Sequence, residues 1–93
     1  AYIFYLVEAF TKAAENLKLK ESLTKKLIVE MIKGSATLAG VSEDSPSILR
    51  KKVTSPGGVT ERALEVLKEK KVNEHLVEAI FEGASRSKSL GKK

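Results

Sequence analysis

Residues 2–19, YIFYLVEAFTKAAENLKL, contain no glycine or proline and carry the hydrophobic repeat of a long helix. Apolar side chains recur every three or four residues, which is the period of an α-helix. These side chains are Ile3, Leu6, Val7, Phe10, Ala13, Ala14 and Leu17. Among the first ten residues only Glu8 is charged, so the helix begins apolar on all sides. A domain of 93 residues can hardly cover such a helix alone. The pattern therefore predicts an interface with another chain.

Four further segments show a helical pattern, and glycines, prolines and polar residues separate them. The predicted helices span residues 22–40, 47–52, 60–70 and 73–90. No segment shows the alternation of a strand, and no internal repeat is present. We therefore predict an all-α domain over residues 1–93, a bundle of about five helices. In the fourth and fifth helices the side chains that should face the interior are Ala63, Leu64, Val66, Leu67, Leu76, Val77, Ile80, Phe81 and Ala84.

The ends of these helices carry recognisable capping residues. Ser22 and Asn73 are predicted N-caps of the second and fifth helices, because their side-chain oxygens can accept from free N–H groups. The pair Ser45-Pro46 predicts the start of the short third helix. Cations near the end of the fifth helix suit the negative end of its dipole. These cations are Lys88, Lys92 and Lys93.

Composition argues against several classes of protein. There is no cysteine, Met31 is the single methionine and His75 the single histidine, so we expect no metal site. The net charge is +5, but the basic residues are scattered among twelve acidic ones and lack interleaved aromatics, which disfavours a nucleic-acid partner. The apolar opening is half as long as the roughly twenty residues that a membrane-spanning helix needs, and it lacks the layout of a signal peptide. We expect a soluble, cytoplasmic protein.

The most unusual segment is Val53-Thr54-Ser55-Pro56-Gly57-Gly58-Val59-Thr60, a loop that leads into a helix. Free N–H groups at a helix start, with the positive end of the helix dipole, attract anions. One interpretation is a small carboxylate or phosphate held by the amides of Gly58, Val59 and Thr60, with hydroxyls from Ser55 and Thr60. The other is an ordinary capped turn, since Ser-Pro-Gly-Gly is also favourable turn chemistry. The residues alone leave both interpretations open.

This segment resembles V-T-S-P-G-G-T-T, the signature of pyrroline-5-carboxylate reductases. The similarity covers nearly the whole chain. Residues 1–4 resemble the end of the family's G-S-G-P-A-Y segment, and residues 34–36 stand where the family has a Gly-Ala-Ala stretch. Residues 45–51 resemble its H-P-x-x-L-K-D motif, and residues 86–92 resemble the end of its last helix. The order and spacing of these pieces together make the resemblance specific.

The resemblance implies a function and an assembly. Enzymes of this family reduce 1-pyrroline-5-carboxylate to L-proline with NADPH or NADH, the last step of proline biosynthesis. They have an N-terminal Rossmann domain and a C-terminal helical domain, which interleaves with its twin to form a homodimer. Dimers of the family can associate further. The chain would be this C-terminal domain, with the Rossmann domain outside residues 1–93.

The resemblance also assigns site residues. The substrate carboxylate would be held by Ser55, Gly57, Gly58, Val59 and Thr60. The hydroxyl of Thr60 would hydrogen-bond near the ring nitrogen and place the imine carbon under the nicotinamide, which makes Thr60 the catalytic residue. Glu43 falls where the family has an acidic residue near the site, although a solvated loop carboxylate is the alternative. Val59 departs from the family's commoner threonine, a change that a backbone amide contact survives.

Three functions remain distinguishable at this point. No G-x-G-x-x-G motif follows a strand, so we expect this chain to bind no dinucleotide and to be inactive alone. The favoured hypothesis is a substrate-binding and dimerisation domain of an oxidoreductase. A dimerisation module of a divergent relative, without a catalytic role, is the alternative. A small basic nucleic-acid binder is the third, and it would show salt-sensitive affinity.

Overall fold

The computed structural model describes residues 1–91 and contains five helices and no strand within that range. The helices are α1 (Tyr2–Asn16), α2 (Glu21–Val41), α3 (Pro46–Lys52), α4 (Val59–Glu69) and α5 (Val72–Gly91). The predicted all-α class and the number of helices are confirmed. The chain forms two compact units, Ala1–Leu49 and a second that begins at Arg50. The predicted effect of Lys92 and Lys93 on α5 lies outside the described residues. Every helix in residues 1–91 is too short or too polar to cross a lipid bilayer.

In the first unit, α1 and α2 pack against each other as a helical hairpin. The least exposed residues form one stripe on each helix, at the spacing of successive helical turns. These residues are Val7, Thr11 and Ala14 in α1, and Thr24, Ile28 and Ile32 in α2. The hydroxyls of Thr11 and Thr24 donate to the carbonyls of Val7 and Lys20, at 2.7 and 2.9 Å. The hairpin contact therefore combines the branched apolar side chains with Ala14 and two threonines whose hydroxyls are satisfied.

A left-handed lysine ends α1. Lys18 has φ +59°, and two backbone bonds close the turn around it: Lys18 N–H to Glu15 O and Leu19 N–H to Ala14 O, both 3.0 Å. This is the Schellman arrangement, in which glycine usually occupies the left-handed position. The predicted end of the helix at Leu19 is therefore wrong, because the chain reverses after Asn16.

The predicted N-cap of α2 is also wrong. Ser22 lies inside the helix, which begins at Glu21, and the N-cap is Lys20, with no side-chain cap hydrogen bond. The extended backbone of Lys20, φ −62° and ψ 124°, sets where the helix starts. Its carbonyl accepts the amide of Thr24 at 3.1 Å, the first regular helical bond. Backbone geometry after the left-handed turn therefore decided the boundary.

The short helix α3 starts as predicted. Ser45 Oγ accepts the amide of Ile48 at 3.3 Å, and the carbonyl of Ser45 accepts the amide of Leu49 at 3.0 Å. Pro46 is the first helical residue, a position where its missing N–H costs nothing. The predicted start at the Ser45-Pro46 pair is confirmed.

In the second unit, α4 and α5 form another hairpin. A left-handed lysine again lies in the connection, Lys71 with φ +54°, and its amide donates to Lys68 O at 3.1 Å. The predicted N-cap Asn73 is wrong, because α5 begins at Val72. The first helical bond there runs from the amide of His75 to the carbonyl of Lys71, 3.0 Å.

Much apolar surface of the single chain stays exposed. Within the described residues only Ala14, Thr24 and Ile28 are buried. The chain exposes 8490 Å², whereas two compact bodies of half its mass would expose about 6,400 Å² together. The predicted inward side chains of α4 and α5 are not buried by the chain itself; Phe81 is 68% exposed and only Leu64 is partly covered. Exposed apolar faces of this extent mark surfaces that contact another molecule.

The left-handed lysine gives a stability prediction. Replacing Lys18 with Gly should raise the free energy of unfolding by about 1 kcal/mol, because a side chain disfavours the left-handed conformation. Urea unfolding at one fixed protein concentration measures the change. The control is Lys25→Gly inside α2, which should lower the same quantity by about 1 kcal/mol. A destabilised Lys18→Gly variant would contradict the assigned turn.

Candidate functional site

The segment before α4 folds into a tight turn at Ser55-Pro56-Gly57-Gly58. The amide of Gly58 donates to the carbonyl of Ser55 at 3.0 Å, and Gly57 has φ +72°. Proline at the second position and a left-handed residue at the third define a type II β-turn. Thr54, just before the turn, is fixed by its hydroxyl, which donates to Arg50 O at 2.6 Å. The turn is thus anchored on both sides, by the end of α3 and by the start of α4.

The two glycines are required for different physical reasons. Gly57 adopts a left-handed conformation, which side chains disfavour. Gly58 has an ordinary extended backbone, φ −88° and ψ −179°. A Cβ at Gly58 would lie 3.1 Å from the carbonyl oxygen of Ser55, tighter than a normal contact. The second glycine therefore allows the close approach that the turn hydrogen bond needs.

A carboxylate at the start of α4 holds the turn from the helix side. Glu61 Oε1 accepts the amide of Gly57 at 3.0 Å. Glu61 is the third helical residue after the N-cap Gly58, and a glutamate at this position commonly reaches back to the N-cap amide. Here the Glu61 side chain reaches the amide of Gly57, one residue before the N-cap. The sequence prediction missed this contact, although a glutamate three residues after Gly58 was the available signal.

The first amides of α4 remain available. The N–H groups of Val59, Thr60 and Glu61 have no acceptor in residues 1–91. The side chain of Val59 is 90% exposed, and Ser55 and Thr60 are exposed with hydroxyls that have no partner in the same range. These amides and the helix dipole make an electropositive surface. An anion could accept hydrogen bonds there.

The structure distinguishes the amides that the sequence grouped together. The amide of Gly58, predicted to hold an anion, already donates to Ser55 O. It is not free in this conformation, while the amides of Val59 and Thr60 are. The capped turn therefore exists, and it leaves two predicted donors open. Anion binding at those two amides stays a prediction.

Glu43 lies elsewhere in the chain. It is exposed in the loop between α2 and α3, next to Asp44, whose amide donates to Ser42 Oγ at 3.1 Å. Glu43 belongs to the first compact unit, whereas Ser55–Thr60 belong to the second. Its role near the substrate stays a prediction.

A groove of about 550 Å³ runs along the second unit. It is lined by Arg50, Thr54, Glu61, Leu64, Glu65, Leu67, Lys68, Val72, Asn73 and Glu74. None of the predicted site residues lines this groove, which therefore differs from the amide surface at the turn. In the part of the chain that the structure describes, no group of His, Asp and Glu side chains could hold a metal ion.

These features define a small all-α domain that presents apolar helix faces to another surface and a Pro-Gly-Gly turn at a helix start. A family model described as pyrroline-5-carboxylate reductase dimerisation matches residues 1–90. Pyrroline-5-carboxylate reductase 2 of Bacillus subtilis (strain 168) is 36% identical over 90 residues, 97% of this chain and 32% of that protein. The chain belongs to the pyrroline-5-carboxylate reductase dimerisation family.

Further relatives agree with this membership. Pyrroline-5-carboxylate reductase of Corynebacterium melassecola is 38% identical over 92 residues, 99% of this chain and 34% of that protein. A crystal structure of Plasmodium falciparum pyrroline carboxylate reductase with NADP bound superposes with a TM-score of 0.92 at 27% identity. The match covers 97% of this chain and 36% of that one. The chain spans about a third of the length of the curated relatives it matches.

The left-handed glycine gives a prediction for the turn. Gly57→Ala should lower the free energy of unfolding by about 1 kcal/mol, because alanine disfavours φ near +72°. Gly57→Asn should lower the free energy of unfolding by less, because asparagine tolerates this conformation. Urea unfolding of the two variants side by side measures the difference. Equal losses would contradict the assignment of a type II turn.

Proposed function

We propose that this chain is the C-terminal dimerisation and substrate-binding domain of an enzyme that reduces 1-pyrroline-5-carboxylate to L-proline in proline biosynthesis. The proposal rests on family membership over residues 1–90 together with the type II turn, which leaves the amides of Val59 and Thr60 open. We place the parent enzyme in the cytoplasm. A module of a divergent relative that only dimerises is the alternative, and it would bind no substrate carboxylate at this turn.

The carboxylate of the substrate would accept hydrogen bonds from the amides of Val59 and Thr60. The hydroxyl of Ser55 would add a third donor, and the turn glycines would let the ligand approach the backbone. The hydroxyl of Thr60 would bond near the ring nitrogen and orient the imine carbon. Substrate binding and orientation would be the contribution of this domain to catalysis. Glu43 would be an acidic neighbour of the site.

The nicotinamide cofactor would be held outside this domain. Residues 1–91 contain no strand that could lead into a glycine-rich dinucleotide-binding turn. The relative from Plasmodium falciparum is described with NADP bound, which supports NADPH or NADH in the parent enzyme. When bound, the cofactor supplies the hydride that reduces the imine. A Rossmann domain of the parent enzyme would bind it, and this chain alone would be inactive.

We further propose that the apolar faces pair two copies of the chain as an intertwined homodimer. The exposed apolar side chains occur on both hairpins, from Phe4 and Tyr5 of α1, 75% and 78% exposed, to Phe81 of α5. The match to a family described by its dimerisation supports this partner. Association of dimers into a larger oligomer is compatible with the same faces. No nucleic acid or membrane partner is proposed.

The hydroxyl of Thr60 can be tested in the full-length parent enzyme. Thr60→Val removes the hydroxyl and keeps the shape, and it should lower kcat/KM about 10- to 100-fold by loss of a hydrogen bond to a charged substrate. Thr60→Ser, which keeps the hydroxyl, should retain most of the activity. Steady-state NADPH oxidation with 1-pyrroline-5-carboxylate measures both. Equal activity of the valine and wild-type enzymes would remove Thr60 from the catalytic site.

The dimer has its own test. Phe10→Lys on α1 should weaken association by about 100-fold or more, because it places a charge where the proposed dimer would bury an aromatic ring that is 40% exposed in the single chain. Analytical ultracentrifugation across micromolar concentrations measures the monomer fraction. Glu15→Lys, which places a lysine on an exposed position of the same helix, is the matched control and should leave the dimer intact. A dimer unchanged by Phe10→Lys would exclude Phe10 from the interface.

A further inference from the structure

The side chain of Glu61 connects the helix start to the glycine turn. Its Oε1 accepts the amide of Gly57 at 3.0 Å, and the residue is partly buried. Gly57 and Gly58 together would otherwise be the most freely rotating backbone in the segment. A bond from the first turn of α4 to Gly57 therefore restricts the conformations that the turn can sample.

Glu61 belongs to the first turn of α4, as do the open amides of Val59 and Thr60. Glu61 forms no ion pair within residues 1–91, although Arg50 and Lys68 line the same groove. The next residue, Arg62, pairs with other carboxylates. Arg62 Nη1 contacts Glu65 Oε2 at 3.1 Å and Glu69 Oε1 at 4.0 Å, both further along the helix. A carboxylate ligand on the amides of Val59 and Thr60 would therefore approach a negative charge that no ion pair neutralises.

We infer that Glu61 is a positioning residue with two opposed effects on the substrate site. Its oxygen holds the Gly57 amide and keeps the turn in the conformation that presents the amides of Val59 and Thr60. Its charge repels the carboxylate of the substrate and sets an upper limit on affinity. The inference rests on the proposed function, in which that carboxylate binds these amides.

Two substitutions distinguish the effect of the hydrogen-bond acceptor on KM from the effect of the negative charge. Glu61→Gln keeps an oxygen that can accept from Gly57 and removes the charge. In the full-length parent enzyme it should lower the KM for 1-pyrroline-5-carboxylate about three- to tenfold, the size of a partly solvated repulsion between two charges, with kcat within about twofold. Glu61→Ala removes both features, so its KM should exceed that of Glu61→Gln by about fivefold, the effect of one hydrogen bond.

The control is Glu69→Gln, which removes the same charge about 12 Å further along α4 and should leave KM unchanged. Hydrogen exchange at the Gly57 amide reports the contact directly: it should be slow in the wild type and in Glu61→Gln, and faster in Glu61→Ala. Equal KM values for the glutamine and alanine variants would overturn the positioning role. A KM for Glu61→Gln that matches Glu69→Gln would overturn the role of charge. Failure of the wild-type parent enzyme to reduce the substrate would refute the proposed function instead.

Discussion

Within residues 1–91, three buried side chains make up the interior that the single chain forms: Ala14, Thr24 and Ile28. All three belong to the α1–α2 hairpin, and no residue of α3, α4 or α5 is buried in the described part. The free energy gained by burying apolar side chains is the main force that opposes the entropy of the unfolded chain. Most of that gain must therefore come from a second surface. The family's description by its dimerisation fits this constraint.

The turn at Ser55–Gly58 shows how a short segment can expose backbone donors without forming a deep pocket. Proline sets the first bend, Gly57 takes the left-handed position, and Gly58 passes close to Ser55. Together these residues leave the first amides of α4 at the surface. The carboxylate of Glu61 stabilises the turn by accepting the amide of Gly57. The donors are backbone groups, so the exposed valine at position 59 does not remove them.

The sequence predicted the number of helices and the turn well, because apolar periodicity and the Pro-Gly-Gly segment are local signals. It failed at the end of α1 and at the starts of α2 and α5. Lys18 and Lys71 occupy left-handed positions where glycine would have been the recognisable signal. Ser22 and Asn73 are favourable N-cap residues, but both lie inside their helices. The side chains predicted to face inward in α4 and α5 follow the right period, but no other element within residues 1–91 buries them. The hydrogen bond from the Gly58 amide to Ser55 O depends on backbone angles that cannot be read from the sequence.

The hairpin arrangement has a consequence for the kinetics of folding. Contacts inside each hairpin join neighbouring stretches of chain, which close quickly because little loop entropy is lost. Docking of the exposed faces is a bimolecular event when the second surface is another copy, so its rate depends on concentration. Newly made chains would thus pass through a short-lived monomer with exposed apolar faces. The lifetime of this monomer would depend on the concentration of other copies. Expression level, and not only sequence, would then govern how much of the protein escapes aggregation.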